Sequence, residues 1–237
     1  MKGDFGAVLY PEGISCASCG RDVFEGEPFC PSCAKKLTKN DGKFCERCGM
    51  PTVGEERYCI RCAENVNYFE RAYSVYLYDE GTKPLLRRFK EKGERWLGRV
   101  FAGLLSDYMR EYRIEADVLT FVPMTSEKRR RRGFNQAEVL ARELSRISGI
   151  PCEEMLEKVR ESAPQKELDF ADRQKNLKGC FRLKQGRRTE YRRVLLLDDV
   201  MTTTATVNEC CRILSKVCEN GVKVLTICTA LRKIKTE

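Results

Sequence analysis

Residues 16–62 hold four C-x-x-C pairs, Cys16/Cys19, Cys30/Cys33, Cys45/Cys48 and Cys59/Cys62, and no other feature constrains the chain as tightly. Each cysteine of the first two pairs recurs 29 residues later, so the segment is an internal duplication. Cys19-Gly20 and Cys48-Gly49 repeat as well, as expected where a tight metal knuckle needs a positive φ. The segment is rich in Gly, Pro and charge and poor in large aliphatic residues, so neither half could form a core alone. Two pairs place four sulfurs about one tetrahedral ion, and closure of that site supplies the missing folding energy. The 29-residue repeat favours a sequential arrangement: one zinc on Cys16, Cys19, Cys30 and Cys33, a second on Cys45, Cys48, Cys59 and Cys62. An interleaved set is the alternative that spacing alone also permits. Disulfides and an iron–sulfur cluster are the competing chemistries. With four sulfurs per ion no position is open to water, so the module is expected to be structural.

The start of the chain lacks the basic-then-apolar pattern of a signal peptide, and no apolar run approaches the length of a membrane helix. The expected location is the cytoplasm, without membrane insertion, where thiolates bind metal or fill a core. The other six cysteines, Cys152, Cys180, Cys210, Cys211, Cys218 and Cys228, read as small apolar packing residues. Histidine is absent from all 237 residues, which excludes an imidazole base and every Ser-His-Asp triad. The formal charge of +9, from 44 Lys and Arg against 35 Asp and Glu, favours phosphates, nucleotides or nucleic acid as partners. That excess clusters at Lys128 to Arg132 and at Arg187, Arg188, Arg192 and Arg193.

Composition changes near residue 66, dividing the chain into a cysteine-rich module over 1–66 and an α/β domain over 67–237. Strands are expected at 72–78, 118–123, 194–199 and 224–228. Helices are expected at 82–91, 94–112 and 135–148, the last stopped by Gly149 and Pro151. A further helix carries Val207, Cys210, Cys211, Leu214, Val217 and Cys218 on one face, with Gly221 as its end. Residues 161–176 have no strong apolar period and read as a charged, mobile loop with a short helix. Fully apolar strands alternating with helices argue for a parallel sheet covered on both faces.

Val194-Leu195-Leu196-Leu197 delivers Asp198 and Asp199 to the crevice at the carboxyl edge of such a sheet. Thr202, Thr203, Thr204, Ala205 and Thr206 then open a helix whose free N–H groups suit a phosphate. The paired carboxylates suit sugar hydroxyls and magnesium. A capped helix with two solvated aspartates is the plainer reading of the same pattern.

The run from Leu196 to Thr206 resembles the phosphoribosyl pyrophosphate (PRPP) motif of type I phosphoribosyltransferases. Three further segments narrow the resemblance to the ComF competence family: Val122-Pro123, Arg132-Gly133-Phe134-Asn135-Gln136-Ala137, and Gln165-Lys166…Leu168…Arg173…Asn176…Phe181. The paired-cysteine N-terminus is typical of ComF proteins too. The resemblance implies a type I phosphoribosyltransferase-like fold, a twisted, mainly parallel sheet with flanking helices behind a small zinc module of four-cysteine sites. It implies that Asp198 and Asp199 hold the ribose hydroxyls with magnesium nearby, and that Thr202, Thr203, Thr204, Ala205 and Thr206 cradle the 5′-phosphate. Lys128, Arg130, Arg132 and Asn135 would lie on a loop meeting the pyrophosphate, and residues 160–176 would close the site. One departure stands out, because the family loop usually has glycine where this chain has Thr204. The resemblance implies phosphoribosyl transfer with an acceptor that no segment reveals. Through the family's link to natural DNA uptake, it also implies an alternative, a non-catalytic protein gripping single-stranded DNA with its Lys/Arg clusters.

Overall fold

A computed structural model describes residues 15–23, 26–52, 54–161, 176–185 and 191–230. The expected segments Gln165 to Arg173, and Arg187 and Arg188, lie outside the described residues. At the N-terminus two metal-type knuckles repeat each other bond for bond. Gly20 N–H donates to Cys16 O and Gly49 N–H to Cys45 O, each at 2.8 Å. The bridges Ser15–Asp22 and Phe44–Pro51 correspond in the same way. Each knuckle is followed by one short helical turn, α1 (Pro31–Ala34) and α2 (Ile60–Glu64). Both glycines take positive φ, 74° and 65°.

Four parallel strands follow: β1 (Arg71–Tyr78), β2 (Val118–Phe121), β5 (Val194–Met201) and β6 (Val222–Ala230), in the spatial order β1-β6-β5-β2. A small antiparallel pair, β3 (Leu156–Lys158) with β4 (Phe181–Leu183), stands apart from this sheet. The helices are α3 (Lys83–Glu91), α4 (Leu97–Glu111), α5 (Ser126–Arg132), α6 (Gln136–Ser148) and α7 (Ala205–Leu214). No helix among the described residues is long and apolar enough to cross a membrane.

Strand alternation builds two cores. Leu195, Leu197, Leu225 and Ile227 face α3, α4 and α6, whereas Val194, Leu196, Val222 and Val224 face α7 and the β3–β4 pair. The first cysteine group joins the former core and the second joins the latter, so the duplication covers both faces of one sheet. Side chains fix each contact. On α3, Arg88 donates to the carbonyls of Ala17 and Ser18 at 2.8 and 3.0 Å. On α7, Asn208 accepts from Tyr68 N–H at 2.7 Å and donates to Val66 O at 3.0 Å. Between the two groups, residues 38–40 pair with β1 through Asn40 N–H to Val75 O and Leu77 N–H to Thr38 O, both 2.9 Å.

Two expectations change. Lys128 to Arg132, expected on a loop running from Lys128 to Asn135, lie on α5: Thr125 accepts from Lys128 N–H, and Gly133 ends the helix at φ 87°. The last helix stops at Leu214 rather than at Gly221, and Val217 and Cys218 lie beyond it. There the backbone bonds to residue 191 instead, through Tyr191 N–H to Val217 O (3.3 Å) and Glu219 N–H to Tyr191 O (3.0 Å). That tertiary pairing outcompetes the helical period. Among the remaining packing cysteines, Cys180, Cys210, Cys211 and Cys228 are fully buried, and burial pushes the Cys210 and Cys211 thiols well above their ordinary pKa. None of the fourteen cysteines forms a disulfide.

Candidate functional site

β5 is flanked by connections on opposite faces, α6 packing on one side and α7 on the other. Its carboxyl end therefore opens where the chain diverges, the position at which ligands enter open α/β sheets. A cavity of about 430 Å³ lies there. That volume suits a ligand the size of a nucleotide.

Asp198, Asp199 and Thr206 line the cavity. Adjacent strand positions point to opposite faces, so Asp199 turns towards α3 and meets Lys90, Nζ to Oδ2 at 3.0 Å. Asp198 Oδ1 accepts the Asp199 N–H at 2.9 Å. Burial, reinforced by the neighbouring Asp199 charge, pushes the Asp198 carboxyl up to about 7. Burial is the largest single influence on the Lys90 ammonium and works against it, but the charge and hydrogen bond of Asp199, with the Asp198 charge and Tyr78, together carry the net shift upward. The lining also includes Lys128, Arg132, Lys158 and Glu161. Burial, then the charges of Arg132 and Lys158, draws the Lys128 pKa down. Glu161 accepts from Thr125 Oγ1 and from Lys158 Nζ (3.0 Å), which together overcome its burial and hold its pKa low.

The other expected residues are placed as follows. Asn135 lines the cavity, yet both ends of its side chain serve the fold: Oδ1 caps α6 from Ala137 N–H (3.1 Å), and Nδ2 donates to Val122 O (2.9 Å). Arg130 is exposed on α5 and does not line the cavity. Of the five loop residues only Thr206 reaches the cavity wall; Thr202 is exposed, Thr203 half-buried, and Thr204 and Ala205 are buried. Thr204 sits at φ −75° and ψ −5°, an ordinary right-handed conformation, so replacing glycine costs no backbone strain there. Its buried hydroxyl has no hydrogen-bond partner.

Lys90, Lys158 and Gln136 were not among the expected site residues, whereas Glu161 belongs to the 160–176 stretch expected to close the site. Gln136 accepts from Arg132 at 2.9 Å and leaves its buried Nε2 without a partner. Its sequence signal was its place in the Arg132–Ala137 run; Lys90 and Lys158 gave none.

The two cysteine groups pass a geometric test for zinc. In each, the four sulfurs lie within 4.8 Å of one another, in the sequential grouping. Cys19–Cys30 and Cys48–Cys59 are each 3.8 Å between sulfurs. A tetrahedral ion with Zn–S bonds of about 2.3 Å has an edge of about 3.8 Å. Bound zinc would cross-link each knuckle to its helical turn, and Arg21 Nε donates to the Cys19 sulfur at 3.4 Å from outside.

Comparison with known proteins agrees with both halves. The profile described as "Double zinc ribbon domain" matches residues 5–63. Competence protein ComFC of Streptococcus pneumoniae is 30% identical over 216 residues, which is 90% of this chain and 86% of that protein. Competence protein F of Haemophilus influenzae is 34% identical over 154 residues, 62% of this chain and 67% of that one. Among solved structures, the purine phosphoribosyltransferase of Pyrococcus horikoshii overlaps 56% of this chain and 83% of its own at 16% identity, with a TM-score of 0.36, too loose an overlap to argue from. Identity across nine-tenths of the chain, with the duplicated ribbon in place, settles the kinship: this chain belongs to the family of competence proteins that includes Competence protein F and ComFC.

Proposed function

We propose that the protein binds PRPP or a related sugar phosphate together with magnesium and transfers the phosphoribosyl group to an acceptor. The observation that carries this reading is one cavity lined by two carboxylates, Asp198 and Asp199, together with the cations Lys128, Arg132 and Lys158. Carboxylates accept hydrogen bonds from ribose hydroxyls, while the cations meet a diphosphate. Thr206 and the first turn of the ten-residue α7 lie beside the carboxylates, where a 5′-phosphate would meet the helix N-terminus. The aspartates form a hard, anionic oxygen set that fits magnesium, which supplies charge neutralisation of the diphosphate. In transfer, the bond from the anomeric carbon to pyrophosphate breaks with its electron pair leaving on pyrophosphate, and the acceptor bonds to that carbon. The chain's own part is positioning, plus stabilisation of the charge that develops on the leaving group by Lys128, Arg132 and Lys158. No histidine is needed. Fourteen cysteines without a disulfide fit a cytoplasmic site of action.

The test is thermal. PRPP with magnesium at a hundred times its Kd should raise Tm by roughly 5 to 10 °C. Asp199→Ala should abolish the rise, and a full shift in that variant would refute the reading.

A second reading, non-catalytic grip on single-stranded DNA, is favoured by the exposure of Arg130 and Arg131 on α5, immediately beside the cavity residues Lys128 and Arg132. Salt-sensitive binding that is lost when Arg130 and Arg131 are neutralised but survives Asp199→Ala would support it. Competition between PRPP and DNA would mean that the two share the cavity mouth.

A further inference from the structure

The ammonium of Lys90 occupies the place on Asp199 that a divalent cation would need. It lies 3.0 Å from Oδ2, its side chain is 27% exposed and that of Asp199 12%, and both line the cavity. Magnesium bonds oxygen at about 2.0 to 2.1 Å. An ammonium and a magnesium ion held by the same carboxylate would repel each other, and the partial burial of both side chains strengthens that repulsion. One must leave.

The helix that carries Lys90 is anchored along its length. Phe89 is fully buried, Arg88 holds the carbonyls of Ala17 and Ser18, and it pairs with Glu94 at 2.6 Å. At the start of the same helix, a side chain on Gly81 would strike Lys36 O, so the first cysteine group also abuts that end. Any change must therefore run through the four-carbon stem of Lys90 itself, which is long and flexible. The cavity it would swing into already holds Lys128, Arg132 and Lys158, so it gains there only if a polyanion has arrived.

We propose that Lys90 is a positioning residue that serves as counter-ion to Asp199 in the unliganded site and moves to the ligand's phosphate oxygens when the ligand's divalent cation takes Asp199. This deepens the sugar-phosphate reading and rests on it for the identity of the anion. The exchange makes the empty site refuse a bare metal ion. It accepts the cation only with the anion that rehouses the lysine.

The test uses the full-length, zinc-loaded protein, with Mn²⁺ as the probe and free Mn²⁺ read by electron paramagnetic resonance. Wild type should bind Mn²⁺ weakly alone and at least tenfold more tightly with PRPP present. Lys90→Met should bind Mn²⁺ alone at least tenfold more tightly than wild type, and PRPP about tenfold more weakly. Adding Asp199→Asn to Lys90→Met should erase the gain in Mn²⁺ affinity. Lys90→Gln serves the same purpose should Lys90→Met melt early. Unchanged Mn²⁺ affinity in the lysine variants, or a gain that survives Asp199→Asn, overturns the proposal even where PRPP binds normally. If PRPP binds neither wild type nor variant while the Mn²⁺ gain appears, the counter-ion role of Lys90 at Asp199 stands and the sugar-phosphate reading falls.

Discussion

The two cysteine groups share spacing, bridges and knuckle hydrogen bonds, yet they live in different surroundings. In the first, Cys19 is exposed and Gly20 has open space around it. In the second, Cys45 and Cys48 are 0% and 1% exposed, and a Cβ on Gly49 would lie 2.5 Å from Ala72 O. The first braces α3, which brings Lys90 to the cavity; the second braces α7, which brings Thr206. Local sequence dictates the metal knuckle, whereas the face of the sheet it lands on dictates how much each residue matters.

The largest expected effect comes from Cys48→Ser, which removes a buried ligand and should cost on the order of 4 kcal/mol or more, with loss of one zinc. Cys19→Ser should also lose one zinc but with a clearly smaller fall in Tm. Metal analysis with calorimetry checks both, and equal falls would erase the contrast. Next come the paired glycines. Gly49→Ala combines a positive φ with a backbone clash and should cost about 2 to 3 kcal/mol, against about 1 kcal/mol for Gly20→Ala. Denaturant unfolding measures both, and equal costs would show that the environments do not differ in energy.

The braces come third. Asn208→Ala strands the Tyr68 N–H and the Val66 carbonyl and should cost about 2 kcal/mol. Arg88→Ala, at a partly exposed contact, should cost about 1 kcal/mol while still weakening PRPP through α3. Equal stability losses, or unchanged PRPP affinity in Arg88→Ala, would blunt the comparison. The last effect is on pH. With the Asp198 carboxyl raised to about 7, its contribution to stability is complete in acid and is lost as pH rises from about 4 to about 7. Asp198→Asn should therefore gain on wild type between pH 5 and pH 8, by on the order of 1 to 2 kcal/mol, in parallel urea titrations.

Much of this was legible in advance, for identifiable reasons. Val194 to Leu197 and Val224 to Cys228 announce themselves because strands buried on both faces need unbroken apolar runs. Asp198 and Asp199 stand out against such a run. Lys90 does not: a lysine near the end of an amphipathic helix reads as solvated, and only the fold brings Asp199 to it. Lys158 lies on a three-residue strand, too short to show alternation. The seven-residue α5 has no buried residue, so nothing in its sequence separated it from a loop. The extra turns expected up to Gly221 fail because Tyr191, twenty-six residues before Val217, claims the backbone there.

The short stretch linking the two metal groups has a further consequence. By bonding along β1, residues 38–40 occupy the outermost rim of the sheet, while Leu119 at the opposite rim bonds to the backbone of Pro151 and Glu153. A chain trimmed to residue 67 onwards would shed that cover along with both ribbons. It would present a bare row of amides and carbonyls, a template for zipping onto its own kind. Dissecting the molecule at its compositional seam should thus yield a self-associating fragment rather than a tidy minimal unit.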